Sequence, residues 1–92
     1  MNVSVIGLSH QTAPVQVRET LSLPGDLSKQ VLRALRTERF VEEAVILDTC
    51  NRTELYFVAD EDHDMSTYLL DLIARLKGAP VAAAPSDLYR FD

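Results

Sequence analysis

Two short apolar runs separated by only five residues constrain this chain more than any other feature. Residues 44–47 (AVIL) form the first run and residues 53–58 (TELYFV) form the second. Both are rich in β-branched, aromatic or aliphatic side chains, as strands are. A linker this short predicts an antiparallel hairpin, so the two runs should be paired neighbours in one sheet. The first run contains no polar residue, which favours a strand buried on both faces.

A strand and two helices are predicted before the hairpin. Residues 3–8 are short and β-branched and predict the first strand. Pro14 suits the first turn of a short helix. Residues 27–39 then place apolar side chains on one face at helical spacing, and Asp26 is positioned to cap that helix.

The last third of the chain carries clear boundary signals. Residues 65–77 have a helical apolar stripe, with Asp64 as the predicted N-cap and Gly78 as the C-terminal stop. Residues 87–91 alternate in polarity and predict a last strand. The resulting order, β-α-β-β-α-β, is that of a ferredoxin-like α+β fold, an antiparallel four-stranded sheet with its helices on one face.

This topology predicts which loops meet. The first strand ends at the loop of His10 and the second ends just before Cys50, and both ends lie at the same edge of the sheet. The acidic stretch at residues 60–64 follows the third strand at the opposite edge. We therefore expect His10 to lie near Cys50, and the acidic excess to lie away from both.

Composition bounds the functions open to this chain. Its 92 residues, 47% apolar and 25% charged, make one small globular domain, and a net charge of −5 argues against nucleic-acid binding by charge alone. A single cysteine excludes an internal disulfide and favours a cytoplasmic setting, and no apolar run could span a membrane. Four basic residues still share one predicted helix and its end, as a phosphate-binding or a solvated face: Lys29, Arg33, Arg36 and Arg39.

Cys50 is the residue best placed to carry chemistry. It lies at the predicted hairpin tip beside Thr49, Asn51 and Arg52, and exposed loops of this kind often carry function. The Arg52 guanidinium and the N–H groups of the turn would favour the nucleophilic thiolate, and Arg52 could also hold a substrate carboxylate. Structural interpretations stand beside these: a small buried cysteine, an asparagine in left-handed turn geometry, and a surface arginine.

The two histidines and the glycines limit the other chemistry. His10 is an accessory candidate, either a general base or positioning group, or a loop histidine bonded to local backbone. His63 is predicted at the far edge and Cys50 has no second thiol nearby, so no metal site is expected. Residues 7–9 follow a strand without forming a dinucleotide fingerprint, so no cofactor-binding residues are expected in this chain.

Three stretches resemble the N-terminal catalytic domain of glutamyl-tRNA reductase: residues 7–15 (GLSHQTAPV), 17–19 (VRE) and 43–54 (EAVILDTCNRTE). The family reduces the glutamyl group of glutamyl-tRNA(Glu) to glutamate-1-semialdehyde with NADPH, which feeds tetrapyrrole (porphyrin) synthesis. The resemblance implies that Cys50 is the nucleophile that forms a thioester. It also implies that Thr49, Cys50, Asn51 and Arg52 bind the substrate, with Arg52 on the glutamyl carboxylate.

The resemblance further implies that residues 1–92 are an incomplete N-terminal catalytic domain. Full-length members continue with more catalytic residues, including a histidine, an NADPH-binding domain and a domain that forms homodimers. We expect this chain alone to form the thioester or to hydrolyse the ester slowly, at most. The competing hypothesis is a non-catalytic α+β binding or regulatory module, in which a structural Cys50 resists alkylation until the protein unfolds.

Overall fold

The structure, a computed structural model, describes residues 3–60, 64–81 and 83–91. Its elements in chain order are β1 (Ser4–Ser9), α1 (Val15–Leu21), α2 (Gly25–Arg36), β2 (Val41–Asp48), β3 (Arg52–Ala59), α3 (Met65–Lys77), a short 3-10 helix (Pro85–Asp87) and β4 (Tyr89–Phe91). These strands form one sheet in the order β2-β3-β1-β4, and every neighbouring pair is antiparallel. The predicted ferredoxin-like α+β fold is confirmed.

The core lies between one face of the sheet and the helices. Strand alternation turns Ile6 and Leu8 of β1, with Leu55 and Phe57 of β3, toward this face, where all four are buried. The helices contribute the rest of the same cluster, mainly Leu21, Val31, Leu35, Met65, Leu69 and Ile73. Burial of this apolar area is the main force that holds helices and sheet together.

Strand β2 lies at an edge of the sheet, which corrects one expectation. The apolar run at residues 44–47 predicts burial on both faces. In the structure Ala44 and Ile46 pack against the core, whereas Val45 is 63% exposed on the other face. The reason is topological, because β2 pairs with β3 alone and the helices cover only one face of the described sheet.

Helix α3 begins and ends where the sequence predicts. The Asp64 side chain caps it by accepting from the backbone N–H of Thr67 at 3.2 Å, and Gly78 ends it in the left-handed conformation with φ of 68°. With 13 residues it is the longest described helix. No helix in the described ranges is long and apolar enough to cross a membrane.

Helix α2 departs from the predicted boundaries at both ends. It runs from Gly25 to Arg36 rather than over residues 27–39, and its N-cap is Pro24. The predicted cap, Asp26, lies inside the first turn, and no side-chain bond caps the helix. Asp26 therefore does not accept a capping hydrogen bond. Its negative charge instead interacts favourably with the positive end of the helix dipole.

The C-terminal end of β1 lies beside the N-terminal end of β3, which brings two loops together at one edge of the sheet. The backbone N–H of His10 donates a 2.8 Å hydrogen bond to the carbonyl of Asn51. Asp60 follows the opposite end of β3, as predicted. Asp64, at the other end of the acidic stretch, caps α3, whereas residues 61–63, including His63, lie outside the described residues.

Candidate functional site

The hairpin tip between β2 and β3 is a tight turn organised by Thr49. The Thr49 N–H donates to the Arg52 carbonyl at 2.8 Å. The Thr49 hydroxyl accepts from the N–H groups of Asn51 at 3.3 Å and Arg52 at 3.2 Å. Those two N–H groups are therefore engaged by the Thr49 side chain, and the expectation that the turn's N–H groups favour a thiolate stays a prediction. No described non-glycine residue has a positive φ, so Asn51 does not adopt left-handed geometry.

Cys50 is exposed at this tip, which excludes the interpretation of a small buried cysteine. Its carbonyl oxygen accepts a 3.0 Å hydrogen bond from Nη1 of Arg18, a residue of α1. Arg18 precedes Cys50 by 32 residues, and nothing in the spacing predicts that they meet. The loop is thus held both by its own turn and by a charged side chain from a helix.

Two clefts meet at the loop. The smaller, about 280 Å³, is lined by Cys50 together with Val15, Arg18, Glu19, Ser22, Thr49, Arg52 and Thr53. The larger, about 600 Å³, lies toward β4 and is lined by Ser9, His10, Gln11, Thr12, Thr49, Asn51, Arg52, Glu54, Tyr89 and Phe91. Thr49 and Arg52 line both clefts, so these two residues lie where the clefts adjoin.

Arg52 lies over a buried carboxylate on the sheet face without helices. Its Nε is 3.9 Å from Oε1 of Glu54, whose side chain is only 8% exposed, against 54% for Arg52. Glu54 also accepts hydrogen bonds from the hydroxyls of Tyr56 at 2.9 Å and Tyr89 at 2.5 Å. In the described part of the chain, Nη1 and Nη2 of Arg52 make no hydrogen bond or ion pair. They remain available for an incoming acceptor.

The carboxylate of Glu54 also affects the two phenols. The hydrogen bond to Glu54 is the main cause that raises the pKa of Tyr56 above its usual value. Burial is the main cause for Tyr89, whose pKa is raised further by the hydrogen bond and charge of Glu54. Both hydroxyls are therefore neutral donors at physiological pH, which is the form that satisfies a buried carboxylate.

His10 and Cys50 share the sheet edge but not the same cleft. The backbone of His10 contacts the loop, yet the residue lines the larger cleft whereas Cys50 lines the smaller. The described residues contain no group of three or more His, Cys, Asp or Glu side chains that could hold a metal ion. The four basic residues of α2 and the following turn are exposed: Lys29, Arg33, Arg36 and Arg39.

Sequence reasoning missed Arg18, Glu54, Tyr56 and Tyr89 as parts of this site. A signal for two of them exists, because period-two alternation places Glu54 and Tyr56 on the same face of β3 as Arg52. Arg18 and Tyr89 come from distant elements. Their approach depends on how α1 and β4 pack, which no local pattern encodes.

The fold and the loop define a class, an α+β domain that presents one exposed cysteine beside an arginine. The family model described as "Glutamyl-tRNAGlu reductase, N-terminal domain" matches residues 6–92. The chain therefore belongs to the glutamyl-tRNA reductase N-terminal domain family, and the predicted resemblance is confirmed.

Relatives named glutamyl-tRNA reductase are similar to this chain over three quarters of its length or more. The one from Desulforudis audaxviator is 43% identical over 100% of this chain and 20% of its own length. The one from Acaryochloris marina is 42% identical over 97% of this chain and 21% of its own. A third, from Xanthomonas campestris pv. phaseoli, is 49% identical over 75% of this chain and 16% of its own. The chain thus spans about a fifth of the length of the first two.

Proposed function

We propose that this chain accepts the glutamyl group of glutamyl-tRNA(Glu) on the sulfur of Cys50. This is the acyl-transfer half of the glutamyl-tRNA reductase reaction, the first step of tetrapyrrole synthesis. The observation that carries the proposal is an exposed Cys50 on a fixed turn, beside an arginine that lines the clefts on both sides. A cytoplasmic setting belongs to the proposal, because the thiol must stay reduced to act.

The proposed reaction is an exchange of one acyl bond for another. The Cys50 thiolate attacks the carbonyl carbon of the glutamyl ester, forming a C–S bond. The ester C–O bond to the terminal ribose then breaks, and the leaving oxygen takes a proton from water. The products are free tRNA and a glutamyl thioester on the protein. Covalent capture of this kind divides one difficult reaction into two easier ones.

Arg52 is proposed to select the substrate by its side-chain carboxylate. Its terminal nitrogens can form paired hydrogen bonds with a carboxylate, and its Nε faces Glu54. The buried Glu54, which accepts from its two tyrosines, lies within ion-pair distance of this guanidinium where the two clefts adjoin. A glutamyl chain would then extend from the sulfur in the small cleft to the guanidinium at its rim. Thr49 shapes the turn, and Asn51 joins the turn to His10, the residue after β1.

The NADPH that the resemblance implies does not fit the residues of this chain. Gly7 lies inside β1, where an added Cβ would meet the Thr53 carbonyl oxygen at 2.6 Å. Gly25 opens α2 after another helix, and Gly78 ends α3. None lies at a strand-to-helix turn, where a dinucleotide's phosphates bind. The proposed reaction of this chain therefore ends at the thioester, and hydride transfer and homodimer formation are proposed for other segments of the longer relatives.

The test is transfer of labelled glutamate. The chain is mixed with tRNA charged with radiolabelled glutamate and quenched in acid. We expect label to leave the tRNA and to appear on the protein, with none on Cys50→Ser. Glutaminyl-tRNA, which carries a neutral amide in place of the carboxylate, should transfer poorly. Equal labelling of the wild type and Cys50→Ser, with both shown to be folded by circular dichroism, would reject the proposal.

A further inference from the structure

Arg18 reaches the hairpin tip from a helix that is remote in sequence. Its Nη1 donates a 3.0 Å hydrogen bond to the carbonyl oxygen of Cys50. Hydrogen bonds from a charged donor are among the stronger ones in proteins. The contact fixes the backbone of the residue that carries the sulfur, and it adds to the bond that joins the neighbouring Asn51 to His10, the residue after β1.

Helix α1, which carries Arg18, is anchored at its C-terminal end. Lys77 of α3 donates from Nζ to the carbonyl oxygen of Thr20 at 2.7 Å and to that of Glu19 at 3.4 Å. Carbonyls in the last turn lack partners within the helix, and a cation suits this negative end. Arg18 therefore extends from a helix whose position is held by α3.

Arg18 differs from Arg52 in having no carboxylate partner in the described part of the chain. Arg52 has the carboxylate of Glu54 at 3.9 Å, whereas the acceptor bonded to Arg18 is a neutral carbonyl. The Nε of Arg18 is buried without a hydrogen-bond partner in the described residues. Glu19 lines the same small cleft but forms no ion pair with Arg18 in the described part of the chain. Within the described ranges, Cys50 thus shares its cleft with a cation that has no counter-ion.

We propose that Arg18 is a positioning residue for Cys50, an inference that rests on the proposed acyl transfer. Arg18 holds the Cys50 peptide so that the residue borders the small cleft, and it places positive charge within hydrogen-bond distance of the Cys50 carbonyl oxygen. Of the two arginines at this cleft, Arg52 is then the substrate-binding one and Arg18 the one that prepares the nucleophile.

The effect of the Arg18 charge on Cys50 can be measured by alkylation, because Cys50 is the only cysteine. Alkylation rates are compared for iodoacetate, an anion, and iodoacetamide, its neutral analogue. We expect Arg18→Met to lower the iodoacetate-to-iodoacetamide rate ratio about threefold, because a nearby cation attracts the anion. Arg18→Lys keeps the charge and should keep the ratio. Arg75→Met, an exposed arginine on α3, is the matched control and should change nothing.

Glutamyl transfer tests the positioning itself. Arg18→Lys should slow single-turnover transfer from saturating glutamyl-tRNA about tenfold, because lysine lacks the planar fork that reaches the carbonyl. An unchanged rate ratio in folded Arg18→Met, or unchanged transfer in folded Arg18→Lys, overturns the inference. If Arg18→Met does not fold, Arg18→Lys decides alone. If the wild type accepts no glutamate, the proposed function fails, and the alkylation ratio still tests Arg18 separately.

Discussion

The hydroxyl of Tyr89 hydrogen-bonds to Glu54 across an intervening strand, over the bare backbone of Gly7. Gly7 of β1 pairs with Glu54 on one side and with Tyr89 on the other. A Cβ at this position would lie 2.8 Å from the Glu54 Cγ and 2.6 Å from the Thr53 carbonyl oxygen. Because Gly7 has no side chain, the Glu54 carboxylate has room to bond with the Tyr89 hydroxyl.

Replacing Gly7 by alanine should destabilise the protein and displace Glu54. The closest atom to the new methyl group is a backbone oxygen of the paired strand, which cannot move aside without distorting the sheet. We expect a loss of about 1–3 kcal/mol in the free energy of unfolding, the usual cost of overpacking. Urea denaturation followed by circular dichroism measures it.

Gly25→Ala is the matched control for this prediction. Beyond its chain neighbours and its own helix backbone, an added Cβ there meets no heavy atom within 4 Å, and the residue is the first of α2. We expect no loss, or a gain of about 0.4–1 kcal/mol from reduced freedom of the unfolded chain. Equal stability changes for the two variants would show that the space beside Gly7 is not restricted.

Glu54→Gln should change the titration of both phenols. The hydrogen bond to Glu54 raises the pKa of Tyr56, and burial followed by that carboxylate raises the pKa of Tyr89. Without the negative charge both pKa values should fall, and that of Tyr89 should stay above its usual value because burial remains. Ultraviolet titration measures this, with Tyr56→Phe and Tyr89→Phe assigning each phenol. Unchanged titration curves would contradict the placement of Glu54 between them.

The raised pKa values of Tyr56 and Tyr89 also determine how the stability of the fold changes at alkaline pH. Both phenols have a higher pKa in the folded than in the unfolded chain, so their contribution is complete below about pH 10, the unfolded value. It is lost as pH rises through the folded values. The wild type should therefore lose stability above about pH 10 more steeply than Glu54→Gln. A parallel decline in the two proteins would contradict the account.

Protonation of Asp64 should account for part of the loss of stability in acid. Its pKa is lowered, first by the hydrogen bond from the Thr67 hydroxyl and then by that from the Thr67 N–H. A lowered folded pKa means that the contribution is present above the unfolded pKa and is lost as pH falls through the folded one. Asp64→Asn keeps an N-cap without a titrating group, so its melting temperature should depend less on pH in acid. Asp64→Ala should be less stable at neutral pH as well.

Local signals were sufficient for some elements and not for others. The cap at Asp64 and the stop at Gly78 act within a few residues, so the sequence predicts α3 at both ends. The spacing of the two apolar runs likewise predicts the hairpin and the placement of Cys50 at its tip. The exposure of Val45 depends on which strand takes the edge of the sheet, and the start of α2 at Gly25 depends on the turn before it.

The candidate site divides in the same way. The residues at the tip, with His10 beside them, follow from topology because adjacent strand ends must meet. The contact between Arg18 and the Cys50 carbonyl depends on the packing of α1, and the Tyr89–Glu54 bond depends on the register of β4. Neither contact produces a periodic pattern in the sequence, because each joins single residues from elements far apart in the chain.

The most direct measurement is to locate the glutamyl group on the protein. The chain is reacted with glutamyl-tRNA, quenched in acid and digested, and the peptides are analysed by mass spectrometry before and after hydroxylamine. We expect glutamate on the peptide that contains Cys50, bound through sulfur and released by hydroxylamine. An unmodified Cys50 peptide from folded protein, or glutamate bound to any other residue, would contradict this expectation.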